Sequence, residues 1–285
     1  MSKDVIDLRV ILNVEQIEAN MFRGHSPSSS SQRVFGGQLV GQAMMAASRT
    51  VKHRLANSLQ GNFIQGGNPQ MPILYRVTNL RDGKSYSIRR VSARQQGRSI
   101  FSMVVSFHAG EQSAFDHQDK MPDVPSPEKL TSHELLKEPS FPEMQKRVPA
   151  LQPNCPFRLR PVEIARYLGE EIGDGRIHIW IKAAAKLPDD PALHMCALAY
   201  ASDWSLLDTV MARYGRTLYD ARMMAASLNH AIWFHRPFLA DDWLLFAQDS
   251  PSAEGGRGFT RGLIFKEDGT LVASVAQEGS IRVRR

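Results

Sequence analysis

Three polar residues stand in or beside apolar segments of the second half of the chain. Gln277 ends an apolar strand pattern, Asp203 lies within a long apolar stretch, and Ser227 begins another strand pattern. Burying an amide without a hydrogen-bond partner is costly, so Gln277 needs a reason to be there. Taken by itself, an edge-strand glutamine that faces water is the simpler interpretation. A carboxylate, a hydroxyl and an amide that meet in one place can instead hold and deprotonate a water molecule.

Helix and strand patterns show which elements must position these residues. Apolar residues at helical spacing predict helices over 34–51 and 193–214, the second with Asp203 inside it. Alternating or β-branched runs predict strands at 58–65, 72–82, 85–95, 99–108, 176–187, 227–238, 242–250, 258–268 and 270–283. Asp268-Gly269 predicts a tight hairpin between the last two strands. Gly37 and Gly41, one turn apart in the first helix, predict close approach of its backbone to a sheet, or a ligand.

The second half of the chain repeats the order of the first, a helix followed by an antiparallel meander. Gly97, with Ser102 five residues later, matches Gly269 with Ser274 five residues later, and Ser58-Leu59 resembles Ser227-Leu228. This alignment sets Val105 opposite Gln277, so only the second half combines the carboxylate, the hydroxyl and the amide. The predicted fold class is α+β, two helix-plus-antiparallel-sheet units whose sheets join into one.

A proline-rich segment separates the two units. Met121 to Pro127 contains three prolines, which oppose both helix and sheet, and further prolines follow it. We expect an N-terminal domain over 1–116, a surface connector over 117–155, and a C-terminal domain over 156–285 that carries the chemistry.

Composition and charge indicate a globular protein with an anionic partner. The chain has 285 residues, 42% of them hydrophobic, and Lys and Arg (35) outnumber Asp and Glu (29), for a net charge of +6. The basic residues are spread along the chain with no polybasic run. A phosphate-bearing small molecule is therefore favoured over nucleic acid, which is not an expected partner.

The expected compartment is the cytoplasm. Cys155 and Cys196 have no CxxC spacing, which gives no support for a metal site or dithiol chemistry and predicts buried, reduced thiols. The N-terminus resembles neither a signal nor a transit peptide, and no apolar run is long enough to span a membrane. The C-terminus shows no peroxisomal tripeptide.

Five segments carry a family resemblance that runs from about Phe22 to the C-terminus. They read RVFGGQLVGQAMMAA, LRDGKSYSIRRVSARQQGRSIF, ALAYASDWSLL, SLNHAIWFHRPF and GTLVASVAQEGSIR. The chain resembles the acyl-CoA thioesterase II family, the TesB-like double-hotdog enzymes. This resemblance implies hydrolysis of fatty acyl-CoA, of medium to long chain, to free fatty acid and CoA. It further implies Asp203, Ser227 and Gln277 as the catalytic residues, no cofactor, and a homodimer or homotetramer.

The chain departs from the family pattern in three places. Asn57 and Gln60 stand where the family usually has histidines, Gly66-Gly67 where it has Pro-Gly, and Asn229 where it has Asp. None of these positions belongs to the triad. They bear on acyl-chain preference and turnover.

Substrate contacts are expected from glycines and arginines. Gly37, Arg89, Arg257 and Gly258 are the candidate substrate-binding residues, because arginine suits CoA phosphates and glycine permits close approach.

Two chemical routes remain open from the residues. An activated water can attack the thioester, or Ser227 can attack it and form an acyl-enzyme. We favour water, because the chain contains no Gly-x-Ser-x-Gly motif and no histidine stands beside Ser227. His230 and His235 flank Trp233, and a structural role for them is favoured over that of a base.

Two other functions compete with a thioesterase. The first is a non-catalytic acyl-CoA-binding regulator, and the second is a hotdog hydratase or dehydratase acting on enoyl- or hydroxyacyl-CoA. The triad argues against the first, and the lack of a recognisable hydratase-like Asp/His motif argues against the second. An assay of thiol release from acyl-CoAs separates the three.

Overall fold

Alternating strands from both halves of the chain join into one antiparallel sheet. The computed structural model describes residues 6–27, 32–112, 114–130, 154–218 and 220–284. Within these residues the sheet has thirteen strands in the order β1-β2-β4-β5-β6-β3-β10-β13-β12-β11-β8-β7, with β9 paired to β13.

The first half contains α1 (Leu8–Leu12), β1 (Glu15–Glu18), β2 (Met21–Gly24), α2 (Gly36–Ser48), β3 (Leu55–Phe63), β4 (Ile73–Asp82), β5 (Tyr86–Gln95) and β6 (Arg98–His108). The second half contains β7 (Phe157–Pro161), α3 (Ile164–Tyr167), β8 (Ile177–Ala183), α4 (Pro191–Ala201), α5 (Asp208–Ala212), β9 (Met223–Ser227), β10 (Asn229–Phe234), β11 (Leu244–Glu254), β12 (Arg257–Lys266) and β13 (Leu271–Val283).

The two halves of the sheet have equivalent strand orders, each counted from its outer edge to the centre. The first half gives β1-β2-β4-β5-β6-β3 and the second gives β7-β8-β11-β12-β13-β10. The two meet where β3 pairs antiparallel with β10, with Leu59 opposite Ile232. Joining the units at these strands leaves neither with a free edge there. The predicted duplication and the joined sheet are confirmed.

Glycine turns connect the equivalent hairpins. Gly97 closes the β5–β6 hairpin with φ 76°, and Gly269 closes the β12–β13 hairpin with φ 86°. Only glycine adopts such angles without steric cost, so both positions resist other residues. The Asp268-Gly269 hairpin is confirmed.

The sheet buries one face against the helices. Along β6, Phe101, Met103, Val105 and Phe107 are buried, whereas Val104 on the other face is exposed. The helix α2 packs against β3, β4, β5 and β6 on this inner face, and α5 packs against β8, β11 and β12. The main hydrophobic core lies between these helices and the sheet.

The predicted helix over 193–214 is wrong as one element. It is interrupted after Ala201 by a turn through 202–207, and the chain resumes a helical path only in α5. The Ser202 hydroxyl donates back to the Ala199 carbonyl at the end of α4 and lies beside His230, and the Ser205 hydroxyl donates to Gln248. Short polar side chains favour such breaks because they offer alternatives to helical hydrogen bonds.

Another difference is β7, a strand that sequence reasoning did not predict. Its flanking Pro156 and terminal Pro161 obscure the pattern, and proline is tolerated there because β7 is an edge strand.

Glycines in α2 allow close approach to α4 rather than to the sheet. A Cβ atom on Gly37 would lie 2.1 Å from the Tyr200 carbonyl oxygen, and one on Gly41 would lie 3.1 Å from that of Cys196. The close packing predicted for these glycines is present, although its partner is a helix.

Part of the expected connector lies against the outer face of the C-terminal half. Over 117–130, Met121 and Val124 pack on a cluster that contains Trp180, and the Trp180 Nε1–H donates to the Pro125 carbonyl at 2.9 Å. The remainder, 131–153, lies outside the described residues, and the predicted limits of the two domains stay a prediction. No helix in the described parts of the chain is long and apolar enough to cross a membrane.

Candidate active site

Four segments meet on the inner face of the sheet where the two halves adjoin. Asp203 lies in the turn after α4, Ser227 ends β9, and Gln277 lies on β13. The N-terminus of α2, with Gly36 and Gly37, comes from the first half of the chain and approaches Asp203. The three residues proposed from sequence are therefore brought together, beside a helix end contributed by the other half.

Asp203 is the acceptor at the centre of this cluster. Its Oδ1 accepts a hydrogen bond from the Ser227 hydroxyl at 3.0 Å and another from the Gln277 Nε2–H at 2.5 Å. The backbone N–H of Gly37 also donates to this carboxylate. Gln277 is fully buried, while Asp203 and Ser227 remain partly exposed. The edge-strand interpretation of Gln277 is wrong, because its amide is buried and paired with a carboxylate.

The surroundings of Asp203 make it a stronger base than an ordinary aspartate. Desolvation by the surrounding protein raises the pKa of Asp203 to about 6, and the hydrogen bonds from Gln277, Ser227 and Gly37 oppose that rise. The carboxylate is therefore ionised at neutral pH, yet it holds a proton more readily than a solvated one. A general base works best with a pKa near the working pH.

Gly36 is part of the site, although sequence reasoning did not single it out. A Cβ atom there would lie 2.5 Å from Asp203 Oδ2 and 3.0 Å from the Phe63 ring. The Gly-Gly pair at the start of a predicted helix was the available signal. Only glycine lets the helix end come this close to the carboxylate.

His230 is buried beside the cluster and is neutral. It is 1% exposed, and its Nε2 lies 2.9 Å from the Ser202 hydroxyl. Desolvation lowers the pKa of His230 to about 4, so at neutral pH the ring is uncharged. The hydrogen-bond partner of its Nε2 is Ser202 and not Ser227. The structural role favoured from sequence agrees with this placement.

His235 lies on the other face of the sheet. Its Nε2 lies 2.8 Å from the Ser274 hydroxyl, and desolvation lowers its pKa. It takes no part in the Asp203 cluster.

Arg89 was expected to bind substrate, and the structure contradicts this. The side chain is 2% exposed and faces the interior beside α2. Its guanidinium donates to the Thr50 hydroxyl and carbonyl, to the Arg81 and Ile88 carbonyls, and to the Asp82 carboxylate at 2.7 Å. With its donors used inside the protein, Arg89 is not available to a CoA phosphate.

The other predicted substrate contacts have different surroundings. Gly258 makes room for α5, because a Cβ atom there would lie 2.6 Å from Val210 Cγ2, and this corrects its expected role to packing. Arg257 is exposed at the start of β12 and pairs with Glu278 at 3.1 Å. Gly37 is at the site, but its N–H is directed to Asp203.

None of the departures from the family pattern belongs to the triad. Asn57 sits at a bulge in β3, since pairing with β6 shifts between Ala56 and Ser58. Gln60 is exposed on the outer face of the sheet. Asn229 Oδ1 accepts the Glu278 N–H at 3.0 Å and so supports the strand beside Gln277.

Both halves of the chain match known protein families. Residues 25–108 match the acyl-CoA thioesterase N-terminal domain, and residues 152–280 match the acyl-CoA thioesterase family profile. Human acyl-coenzyme A thioesterase 8 is 36% identical over 284 residues, which cover 96% of this chain and 88% of that protein. The chain belongs to the acyl-CoA thioesterase family. The resemblance inferred from sequence, and the expectation of a thioester hydrolase, are confirmed.

Solved structures agree with this family assignment. The crystal structure of acyl-CoA thioesterase II TesB2 from Mycobacterium marinum is 38% identical, covers 97% of this chain and 98% of its own, and has a TM-score of 0.79. A hot dog fold protein from Alicyclobacillus acidocaldarius is 17% identical, with coverage of 96% and 97% and a TM-score of 0.77. The second likeness concerns the fold alone. The predicted double hotdog is confirmed.

Proposed function

We propose that this acyl-CoA thioesterase hydrolyses fatty acyl-CoA of medium to long chain by direct attack of a water molecule that Asp203 activates. One observation carries the proposal: a carboxylate with a pKa raised to about 6 accepts hydrogen bonds from Ser227 and Gln277 in a single cluster. Acyl-chain length is assigned from the family resemblance.

The proton moves through Asp203 in both directions. Asp203 takes a proton from water as the hydroxide oxygen bonds to the thioester carbonyl carbon. When the tetrahedral intermediate collapses, the carbon–sulfur bond breaks and the CoA sulfur receives the proton from Asp203. The products are the free acid and CoA, and the carboxylate is regenerated. Ser227 and Gln277 keep the water and the Asp203 carboxylate in the relative position that proton transfer needs.

The developing oxyanion is assigned to the N-terminus of α2. This helix has 13 residues and no side-chain cap, so its first amides face outward beside Asp203. The positive end of a helix dipole stabilises negative charge. The Gly36 N–H is the amide proposed to face the carbonyl oxygen, since the Gly37 N–H already donates to Asp203.

Direct attack by Ser227 is the competing route. Water is favoured because the Ser227 hydroxyl and the Gln277 amide both donate to Asp203 Oδ1. This arrangement suits two side chains that position a water molecule beside the carboxylate. The neutral His230 is hydrogen-bonded to Ser202 and would not activate Ser227. No metal or cofactor is assigned a role, because side chains and backbone amides supply each step.

Assembly and location complete the proposal. A homodimer or homotetramer is proposed from the resemblance, and the outer face of the sheet exposes Val104 by 42% and Trp233 by 38%. Ile100, by contrast, is buried in the core, and Leu263 packs against the cluster that contains Trp180. A cytoplasmic location is proposed because Cys155 and Cys196 are buried, unpaired thiols.

The test is thiol release from acyl-CoAs of several chain lengths, compared between wild type and Asp203→Asn. We expect wild type to release thiol and free acid in equal amounts, with the fastest turnover on medium or long chains. Wild type that binds these esters without releasing thiol would support a binding protein instead. Hydration of enoyl-CoA without thiol release would support a hydratase.

A further inference from the structure

His230 and Gln277 stand opposite each other on neighbouring strands. The pairing of β10 with β13 sets Ala231 opposite Ala276, and the next step along both strands brings His230 to Gln277. Directly opposite residues place their side chains on the same face of a sheet, within contact distance. Both residues face the interior, with exposures of 1% and 0%.

Each of these two side chains has one buried atom left over. Within the described residues, His230 Nδ1 and Gln277 Oε1 have no partner that meets hydrogen-bond geometry in full. The other ends are satisfied, His230 Nε2 beside the Ser202 hydroxyl at 2.9 Å and Gln277 Nε2 on Asp203 at 2.5 Å. The Gln277 amide also acts as a hydrogen-bonding group that raises the pKa of His230, against the larger lowering by burial. The two leftover atoms are therefore natural partners.

The position of the ring proton decides whether they can pair. If Nε2 carries the proton and donates to Ser202, Nδ1 becomes an acceptor that faces another acceptor, Gln277 Oε1. Both would then be buried and unpaired, which folded proteins avoid. If Nδ1 carries the proton, it donates to Gln277 Oε1, and Nε2 accepts from the Ser202 hydroxyl. The second arrangement pairs both leftover atoms, and the Ser202 hydroxyl then gives up its bond to the Ala199 carbonyl, which lies 3.1 Å from its Oγ.

We propose that His230 is a positioning residue, whose Nδ1–H donates to Gln277 Oε1 and thereby holds the Gln277 amide with its NH₂ group on Asp203. Without this donor the amide can rotate by half a turn and present Oε1 to the carboxylate, where two acceptors repel. In the proposed arrangement the Ser202 hydroxyl turns from the Ala199 carbonyl and donates to His230 Nε2. The consequence for catalysis rests on the proposed function, whereas the tautomer does not.

The tautomer is measured directly by NMR of the full chain labelled with ¹⁵N-histidine. Long-range ¹H–¹⁵N correlations show which ring nitrogen carries the proton, and the His230 signals are assigned as those missing from His230→Asn. We expect a protonated Nδ1 and a bare Nε2 across neutral pH. A proton on Nε2 would overturn the proposal, whatever the enzyme does.

Kinetics provide the second arm. His230→Asn keeps an amide N–H close to the Nδ1 position, whereas His230→Leu keeps the bulk without a donor. We expect His230→Leu to lower kcat about tenfold or more with KM nearly unchanged, the scale of a lost supporting hydrogen bond at metal sites. His230→Asn should recover most of that loss. His235→Leu is the matched control, since it removes an equivalent His–Ser pair from the opposite face.

A double variant with Gln277→Ala distinguishes a positioning role of His230 from a packing role. If His230 acts through Gln277, then His230→Leu should cost little further activity once Gln277→Ala is present. The proposal fails if His230→Leu is as active as His235→Leu, or if His230→Asn is no better than His230→Leu. Wild type without thiol release on any acyl-CoA would remove the proposed function, and the NMR result would still decide the tautomer. If His230→Leu does not fold, the NMR measurement on the wild-type protein still tests the proposal.

Discussion

Replacing Asp203 with asparagine is expected to stabilise the protein while it removes activity. Desolvation raises the pKa of Asp203 from 3.8 to about 6, so ionising it in the folded state is unfavourable. A shift of about two units is worth about 3 kcal/mol. Because Asp203 is partly exposed, we expect Asp203→Asn to raise the free energy of unfolding by about 1–3 kcal/mol at pH 7. Asparagine Oδ1 can still accept from Ser227 and Gln277, which both donate to Asp203 Oδ1.

The change in protein stability with pH shows the direction of this effect. Between pH 4 and 6 the folded state holds a proton on Asp203 that the unfolded chain has lost, so this group's contribution to stability falls as pH rises. The loss is complete above the folded pKa of about 6. The gain from Asp203→Asn should therefore be near zero at pH 4 and full at pH 7. Urea unfolding of both proteins at these two pH values, at equal protein concentration, measures it.

Asp208 offers a matched control. It is 3% exposed, and desolvation raises its pKa to about 8, opposed by a hydrogen bond from the Leu218 backbone. Among the described residues, its carboxylate is bonded to the Leu218 backbone and not to the Asp203 cluster. Asp208→Asn should also stabilise, with a larger gain at pH 8.5 than at pH 7, but should leave thiol release unchanged. Equal or lower stability of Asp203→Asn at pH 7 would refute the claim that desolvation dominates the energetics of this carboxylate.

Further predictions concern the same site. Gly36→Ala should lower kcat about 100-fold, because the new methyl group displaces Asp203 Oδ2. Gln277→Ala should also lower kcat about 100-fold. By contrast, Val105→Ala at the equivalent buried position should cost about 1–2 kcal/mol of stability and leave turnover per folded molecule intact. Ser227→Ala should keep measurable turnover, whereas its complete loss with a fold intact by circular dichroism would favour the acyl-enzyme route. Dialysis against a chelator should leave kcat unchanged, and recovery only after adding a metal ion would disprove the cofactor-free proposal.

The turn glycines aligned the two halves correctly, whereas the Ser-Leu pairs did not. Gln277 and Val105 each lie eight residues after the glycines at 269 and 97, and the hairpins keep that spacing. The match of Ser227 with Ser58 is wrong by two residues. Ser227 lies opposite Gly279, whose equivalent, Phe107, lies opposite Ala56. The bulge is not the cause, because both halves contain one extra residue there, after Ala56 in β3 and after Ser227 between β9 and β10. The two Ser-Leu pairs are a coincidence of composition.

The triad residues could be predicted from the sequence, whereas the residues that support them could not. Asp203 and Gln277 each stood out as a polar residue in apolar surroundings. The role of Gly36 depends on α2 reaching across from the other half, which no local pattern reports. Arg89 shares a strand face with buried Val91, so alternation alone pointed inward. Its partner Thr50 lies 39 residues away, and only the fold reveals the pair.

The pH dependence of kcat/KM tests most directly whether Asp203 is the base. This ratio reports groups in the free enzyme, where the pKa of Asp203 is about 6. The account predicts that kcat/KM for an acyl-CoA falls about tenfold per pH unit below pH 6 and levels off above it. The residual activity of Asp203→Asn, measured at high enzyme concentration, should lack this limb. A wild-type profile that is flat from pH 5 to 8, or an acid limb that survives in Asp203→Asn, would contradict the account.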